Sequence, residues 1–520
     1  MIIWQVAREY AHLAEAGGVK NVVCSLCEGL VKLNHEVTLF IPLYGCSDLT
    51  HISEYKPQNH MITEISVAEK KYQVSFATGK LHKVNIVFVI ASCFTEKLGV
   101  YTYTAAEEAK NPQFIRGKGH FDAVENEIMF QKAVIHYGKN YGLPNVIHCH
   151  DATTALIPAL ANIPENKPYF SKTKFVATIH NAGAGYHHEI VNLEKAKYLT
   201  DIPEDILKLG LVESVVEPYL LASYFATLTT VSPWYAEEIT NPENNDTQGL
   251  SKAFYDKKIK VFGITNGIDF EKYNPVNLKK SHLPYRYNPQ KVDLEGKIKA
   301  RMDFFHEFGI ATHSHKKNCL KINFEDSISQ HGYLDAFDEN TTIFSYHGRL
   351  VHQKGLDILE KAIPICLEKN SNIRFVIIGQ GDRELEKKQI ELANRYSGKV
   401  LYLKGYHRAL ARICVAISDF IVLPSFFEPC GLEDFIASIL GTIPLAHKTG
   451  GLQKIVHNKT GFLYSPNNEN ELAKNIFSLI DFKNNHHLDF IKMIKTASKT
   501  VYEDYNWENV IKNYYLLLYV

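Results

Sequence analysis

An apolar run, Ile2–Val6, opens the chain, followed by a polar loop ending in Gly17-Gly18 and then a stretch where Val19, Val22, Val23, Leu26 and Leu30 recur at helical spacing. A second apolar run, Glu36–Pro42, follows. A period of 3.6 residues puts those five side chains on one face, and that face has to be buried. Strand, glycine loop, amphipathic helix and strand together predict the opening of a parallel, doubly wound α/β sheet. Further apolar runs at Val84–Ile90, 146–148, Lys174–Ile179 and 226–231 each give way to a polar or glycine-containing loop, so a first Rossmann-like domain is drawn over 1–250.

From about 276 to 340 Lys, His, Asn and Asp cluster with little periodicity, which predicts an entry helix and a surface insertion. The pattern then restarts. Apolar runs at 343–347, Ile373–Gly379, 399–404, 420–424 and 442–447 alternate with helical stretches such as 355–366 and 433–440. A second Rossmann-like domain is therefore drawn over 251–502, with a Trp507-containing helix, 503–520, expected to pack back on the first domain. Two such units in tandem imply a cleft, with chemistry at the carboxyl ends of strands.

Composition narrows the partners. With 57 basic and 57 acidic residues the formal charge is zero, so neither nucleic acid nor an anionic membrane is favoured. Nine cysteines lie scattered, as in a reducing compartment, and no apolar run is long enough to span a bilayer. Cys24 and Cys27 form a C-x-x-C inside the helical pattern, where packing explains them better than redox chemistry. Residues 1–7 run straight into Arg8 and Glu9 and read as a strand rather than a leader, which makes the cytoplasm the expected location.

A dinucleotide site fits poorly: Gly17-Gly18 is not G-x-G-x-x-G, and the second strand ends without a ribose-binding carboxylate. The paired glycines suit close backbone approach to a diphosphate or sugar, or else a plain tight turn. In the second half, Gly348-Arg349-Leu350 ends a strand and Lys354-Gly355 opens the next helix. Glu428 lies in the loop after the apolar strand 420–424, and Thr449-Gly450-Gly451-Leu452 follows another strand and opens another helix. A surface Arg or Lys is usually only solvated, and it is the joint placement that points to an anion. Two cations, a glycine cradle and one carboxylate suit departure of a nucleoside diphosphate from a sugar without a metal. No D-x-D is present, and His313-Ser314-His315, His187-His188 and His486-His487 lack Cys or carboxylate partners at ligand spacing, so no metal site is assigned.

These segments resemble the successive motifs of the glycogen and starch synthases, and so do His150-Asp151, Thr178-Ile179-His180-Asn181, Thr230-Val231-Ser232-Pro233 and Asn266-Gly267-Ile268-Asp269. They run in family order over nearly the whole chain. The resemblance implies a GT-B fold, two doubly wound Rossmann-like domains facing a deep cleft. It further implies retaining transfer of glucose from ADP-glucose or UDP-glucose to the non-reducing end of an α-1,4-glucan, either glycogen or a maltooligosaccharide, with no cofactor or metal. By motif position Arg349 and Lys354 would hold the diphosphate, Glu428 the donor sugar, and Cys430, Gly431, Thr449, Gly450, Gly451 and Leu452 the rest of the donor. His180 would support the cationic sugar, Asp151 and Asn181 would orient it, and Gly17 and Gly18 would form the opposing wall. Taken alone, His180 and Asp151 also fit a loop-capping role.

The chain departs from the family pattern at Glu15, where the bacterial motif has lysine, and at Ala152, Phe426 and Lys454. Two other readings share the same residues: a GT-B transferase with a different acceptor, and a catalytically weak glucan-binding or regulatory homologue.

Overall fold

The structure is a computed structural model that describes residues 1–309, 319–320, 322–324, 327–370 and 372–520, leaving out the side chains of 58–60. His313 and His315 lie outside the described residues. The chain divides into two compact units, Met1–Gly267 with Trp507–Val520, and Ile268–Asn506.

In the first unit the strands are β1 (Ile2–Val6), β2 (Glu36–Pro42), β3 (Ser53–Val67), β4 (Lys70–Leu81), β5 (Val84–Ile90), β6 (Val146–His150), β7 (Lys174–Ile179), the small hairpin β8 (Leu211–Val212) and β9 (Val215–Val216), β10 (Thr227–Thr230) and β11 (Val261–Gly263). Nine of them form one sheet in the order β11-β10-β7-β6-β1-β2-β5-β4-β3. Its centre is parallel, but β3 and β4 add an antiparallel edge that the parallel expectation lacked. On β4 the alternation of Tyr72, Val74 and Phe76, all buried, with Lys71, Gln73 and Ser75 is the period of a half-buried strand.

The first unit extends past the expected boundary at 250. β11 still pairs with β10, so the chain completes this sheet before leaving it at Gly267. Trp507–Val520 then belongs to the same unit. Gly29 of the helix Val19–Lys32 makes room for it, since a β-carbon there would lie 2.4 Å from Ile511 Cδ1.

In the second unit the strands are β12 (Ile328–Gly332), β13 (Thr342–His347), β14 (Ile373–Gly379), β15 (Val400–Gly405), β16 (Phe420–Leu423), β17 (Ile443–His447) and β18 (Phe462–Tyr464), ordered β12-β15-β14-β13-β16-β17-β18. All neighbours are parallel except β12, which pairs antiparallel with β15 and so turns part of the expected surface insertion into a sheet edge. The entry helix is Glu295–Phe308. Its buried Lys297 donates to Ala416 O, Ser418 O and Thr442 Oγ1, which satisfies an ammonium that would otherwise be costly there. Every residue of β14 is buried, as befits a strand covered on both faces. Among the described residues no helix is long and apolar enough to cross a membrane.

Candidate functional site

The expected donor residues of the second unit follow β13, β16 and β17, which are adjacent and parallel in the sheet. Strand order therefore brings three loops together that lie far apart in sequence. After β13 the chain turns through His352–Lys354, and Gly355, at φ 66°, precedes the helix Leu356–Lys369. A β-carbon on Gly355 would meet Pro424 O at 1.8 Å, so only glycine lets this turn sit against the neighbouring loop. Phe426 N donates to Gln353 O at 2.9 Å and Gln353 Nε2 to Phe427 O at 3.0 Å, zipping the two loops together.

Lys354 Nζ then lies 2.5 Å from Glu428 Oε2, which also accepts from Ser425 Oγ at 3.3 Å. Arg349 is exposed, with its backbone oxygen taken by the Tyr346 hydroxyl at 2.9 Å. Next to the pair, His347 Nδ1 is 2.8 Å from Glu433 Oε2. Burial opposes both charges, but the pairing outweighs it, holding His347 above and Glu433 below their ordinary values.

Gly450–Lys454 is a short 3₁₀ turn rather than the full helix expected after Thr449. Gly451 N donates to Glu428 O at 2.8 Å, and a β-carbon on Gly451 would fall 2.4 Å from Cys430 Cα. Both packing relationships tie the glycine pair to the Glu428 loop. Lys454 fastens them further: its buried ammonium donates to Cys430 O, Gly431 O and Gly451 O and lies 3.0 Å from Asp434 Oδ1. The departure at 454 is thus a clamp beneath the loops. Burial raises Asp434 to about 6, against the pull of Lys454. Phe426, another departure, stacks on His352 with centroids 5.0 Å apart.

In the first unit the expected residues follow β1, β6 and β7, again neighbours in the sheet. Asp151 leaves β6 at φ 63° and ψ 172°, a conformation close to glycine-only. From there its Oδ1 accepts the His180 backbone N–H at 2.9 Å and the Tyr219 hydroxyl at 3.3 Å. His180 follows β7, buried, with Nε2 at 3.0 Å from His150 Nδ1. Burial lowers its basicity, with Asp151 acting the other way, so the imidazole is neutral near pH 7. Asn181 Oδ1 is occupied by Gly183 N at 2.8 Å, and its carbonyl accepts from Tyr219. Ala152 is buried in the turn beyond Asp151.

Of the two readings left open for the glycine pair, Gly17 has the tight turn: its N–H goes to Glu9 Oε2 at 2.5 Å rather than outward, and Ala16 N donates to the same oxygen. The nine residues from Glu9 to Gly17 form a closed loop around that carboxylate, whose basicity burial raises. Glu15 is likewise turned to its own chain, 2.8 Å from Lys20 Nζ and accepting from His12 N.

The sequence reading gave no site role to Glu9 or Tyr219, and it named His150 only within a motif and Lys454 only as a departure. A charged pair directly after an apolar strand, Arg8-Glu9, was the available signal for the first. Arg8 is buried, bonded to Glu127, the Tyr44 hydroxyl and Val100 O. His187 and His188 do have carboxylate partners, Glu217 at 2.8 Å and Glu127 at 2.9 Å, which spacing could not reveal. Even so, no group of three or more His, Cys, Asp or Glu among the described residues is arranged to hold a metal.

Residues 2–254 match the starch synthase catalytic domain, and residues 335–496 match the glycosyl transferases group 1. A glycogen synthase of Thermodesulfovibrio yellowstonii is 31% identical, covering 98% of this chain and 95% of its own. One of Flavobacterium johnsoniae is 27% identical, covering 99% and 98%. Among solved structures, the catalytic domain of starch synthase IV from Arabidopsis thaliana bound to ADP and acarbose aligns at a TM-score of 0.78 and 22% identity over 99% of this chain and 98% of that one. With those likenesses spanning both units, the chain belongs to the glycogen and starch synthase family of glycosyltransferases and has the GT-B fold.

Proposed function

We propose that this protein transfers glucose from a nucleoside diphosphate glucose to the non-reducing end of an α-1,4-glucan, with retention at the anomeric carbon. The observation that carries the reading is the Lys354–Glu428 pair, 2.5 Å apart on neighbouring loops, with Arg349 exposed shortly after β13. Arg349 and Lys354 would stabilise negative charge growing on the departing diphosphate, as fixed donors do without solvent reorganisation. Glu428 would hold the donor sugar, with the amides near Gly450 and Gly451 holding phosphate. His180, Asp151 and Asn181 would orient and support the glucosyl unit. The bond from C1 to the diphosphate oxygen breaks, the acceptor 4-oxygen bonds to C1 on the same face, and the acceptor proton leaves with the diphosphate. A retaining hydrolase would instead need two carboxylates about 5–5.5 Å apart. Fixed cations make a divalent ion unnecessary in this scheme.

ADP-glucose is the first donor to test, since the starch synthase IV structure carries ADP. The purified protein is incubated with labelled ADP-glucose or UDP-glucose and glycogen, with and without chelator. Label should enter glucan at a rate the chelator leaves unchanged, and no incorporation from either donor overturns the reading.

A second reading, a glucan-binding homologue with little turnover, is favoured by Glu15 in place of lysine. The Lys20 ammonium at 2.8 Å offsets that carboxylate locally, which weakens the case. This reading predicts glycogen binding without transfer.

A further inference from the structure

Phe121 is the most exposed aromatic side chain among the described residues, at 77%. Its ring is nevertheless held. Phe114 and Tyr103 lie beside it with centroids 5.9 and 6.4 Å away and planes within 28°, and those two stack on each other at 4.5 Å and 2°. The Lys97 ammonium sits 5.5 Å from the Phe121 centroid and 5.4 Å from that of Tyr103, and Asp122 fixes it at 2.8 Å. A lone exposed phenylalanine needs no explanation, but a ring fixed in advance loses little freedom when a ligand packs on it.

Asp122 also lines an open groove of about 590 Å³. Its wall is polar: Lys70, Lys71 and Gln73 come from the start of β4, and Ser92 and Glu96 from the segment after β5. Two ammonium groups are matched by two carboxylates, so no excess charge draws an ion. Such a mixture of donors and acceptors suits a neutral ligand rich in hydroxyls, each of which can do both. A pyranose ring adds C–H groups of slight positive charge, which suit the negative face of an aromatic ring.

The place of the groove in the sheet says which sugar. Strands β5, β2, β1, β6 and β7 run parallel and finish at one end of the sheet, and antiparallel β4 begins there, with Ser75 opposite Ile90. Asp151 and His180 follow β6 and β7 at that same end. In the order β6-β1-β2-β5 the groove lies three strand spacings from Asp151, or about 14 Å. A glucan whose non-reducing end is at Asp151 and His180 can therefore lie across the strand ends and reach it.

We propose that Phe121 and the groove beside Asp122 hold the body of the α-glucan acceptor, several glucose units in from the end that is extended. The identity of the ligand rests on the reading of the protein as an α-glucan glucosyltransferase. Long acceptors are then better than short ones, because only a chain that spans the strand ends fills both places at once.

The test is native electrophoresis through gels with and without glycogen, no donor being present, on wild type, Phe121→Ala and Phe121→Trp. Glycogen should retard wild type and Phe121→Trp, while Phe121→Ala should show an apparent Kd higher by about 2- to 10-fold, the scale of one aromatic stacking contact. In transfer assays at saturating donor, the KM for glycogen should rise by the same factor relative to that for maltotriose. Equal retardation of wild type and Phe121→Ala overturns the proposal. So does a KM that rises equally for both acceptors, since that would put Phe121 at the end being extended. Should Phe121→Ala fail to fold, Ser92→Trp plugs the groove from the segment after β5 and must give the same loss. Retention by glycogen that depends on Phe121, in protein that incorporates no label, upholds this site and counts against the transferase reading alone.

Discussion

Asp151 Oδ1 accepts the backbone N–H of His180 at 2.9 Å from a main chain held at φ 63° and ψ 172°. Two adjacent strand ends are thereby locked together at the cost of local strain, the kind of strain that accumulates where geometry serves function.

That strain makes two substitutions at 151 distinguishable. Asp151→Gly relieves the backbone while Asp151→Ala keeps a β-carbon in a conformation costing about 1–3 kcal/mol. Both lose the bond to His180 and should lose transfer activity. Denaturant titration is expected to find the glycine variant more stable than the alanine variant by about 1 kcal/mol or more. Equal stabilities would show that the backbone at 151 is not strained.

Lys354→Ala removes a cation that the proposed mechanism sets against the leaving diphosphate. A fall in kcat of about 10²- to 10³-fold is expected, the scale of losing one preorganised donor. Steady-state kinetics with labelled donor checks it. A loss confined to KM would mean that Lys354 binds donor and transition state equally.

Lys454→Met leaves Asp434 and three carbonyl oxygens buried without their ammonium. Breaking such a pair on one side costs about 3–5 kcal/mol. The paired substitution Lys454→Met with Asp434→Leu should recover part of that loss, read from denaturant midpoints. If the double variant is no more stable than the single, the clamp acts through the carbonyls alone.

The His188–Glu127 pair sets a pH dependence. Burial works against the imidazolium, but Glu127 outweighs it and raises His188 above its ordinary 6.5. A raised folded-state value means a contribution fully present below 6.5 and lost as pH rises through the raised value. The Tm gap between wild type and His188→Gln should therefore be widest near about pH 6 and narrow toward about pH 9. A gap that widens with pH would contradict the pairing.

Much of this was legible because it is local. The 3.6-residue period of Val22, Val23, Leu26 and Leu30 and the apolar runs between glycine loops specify strand, helix and strand without reference to distant residues. Motif residues such as Arg349, Lys354 and Glu428 were legible for the same reason: each sits at a strand end that the sequence marks by itself. The antiparallel edge strands were harder, since β12 lies among Lys, His and Asn residues and is defined by pairing with β15 rather than by its own pattern. The glycine pair stayed open between a ligand wall and a plain turn because an N–H group's partner cannot be seen in it, and at Gly17 that partner is the carboxylate of Glu9.

The sequence alone determined that two α/β units would form and which loop residues would stand at their strand ends, because periodicity and turn chemistry act over a few residues. Only the tertiary structure decided which loops touch. The sheet order β7-β6-β1 sets Asp151 beside His180, and β13-β16-β17 sets Lys354 beside Glu428 and Lys454 beneath Gly431. The physical reason is that a side-chain hydrogen bond depends on distance in space, and distance between loops is fixed by the order in which strands pair, which no local pattern encodes.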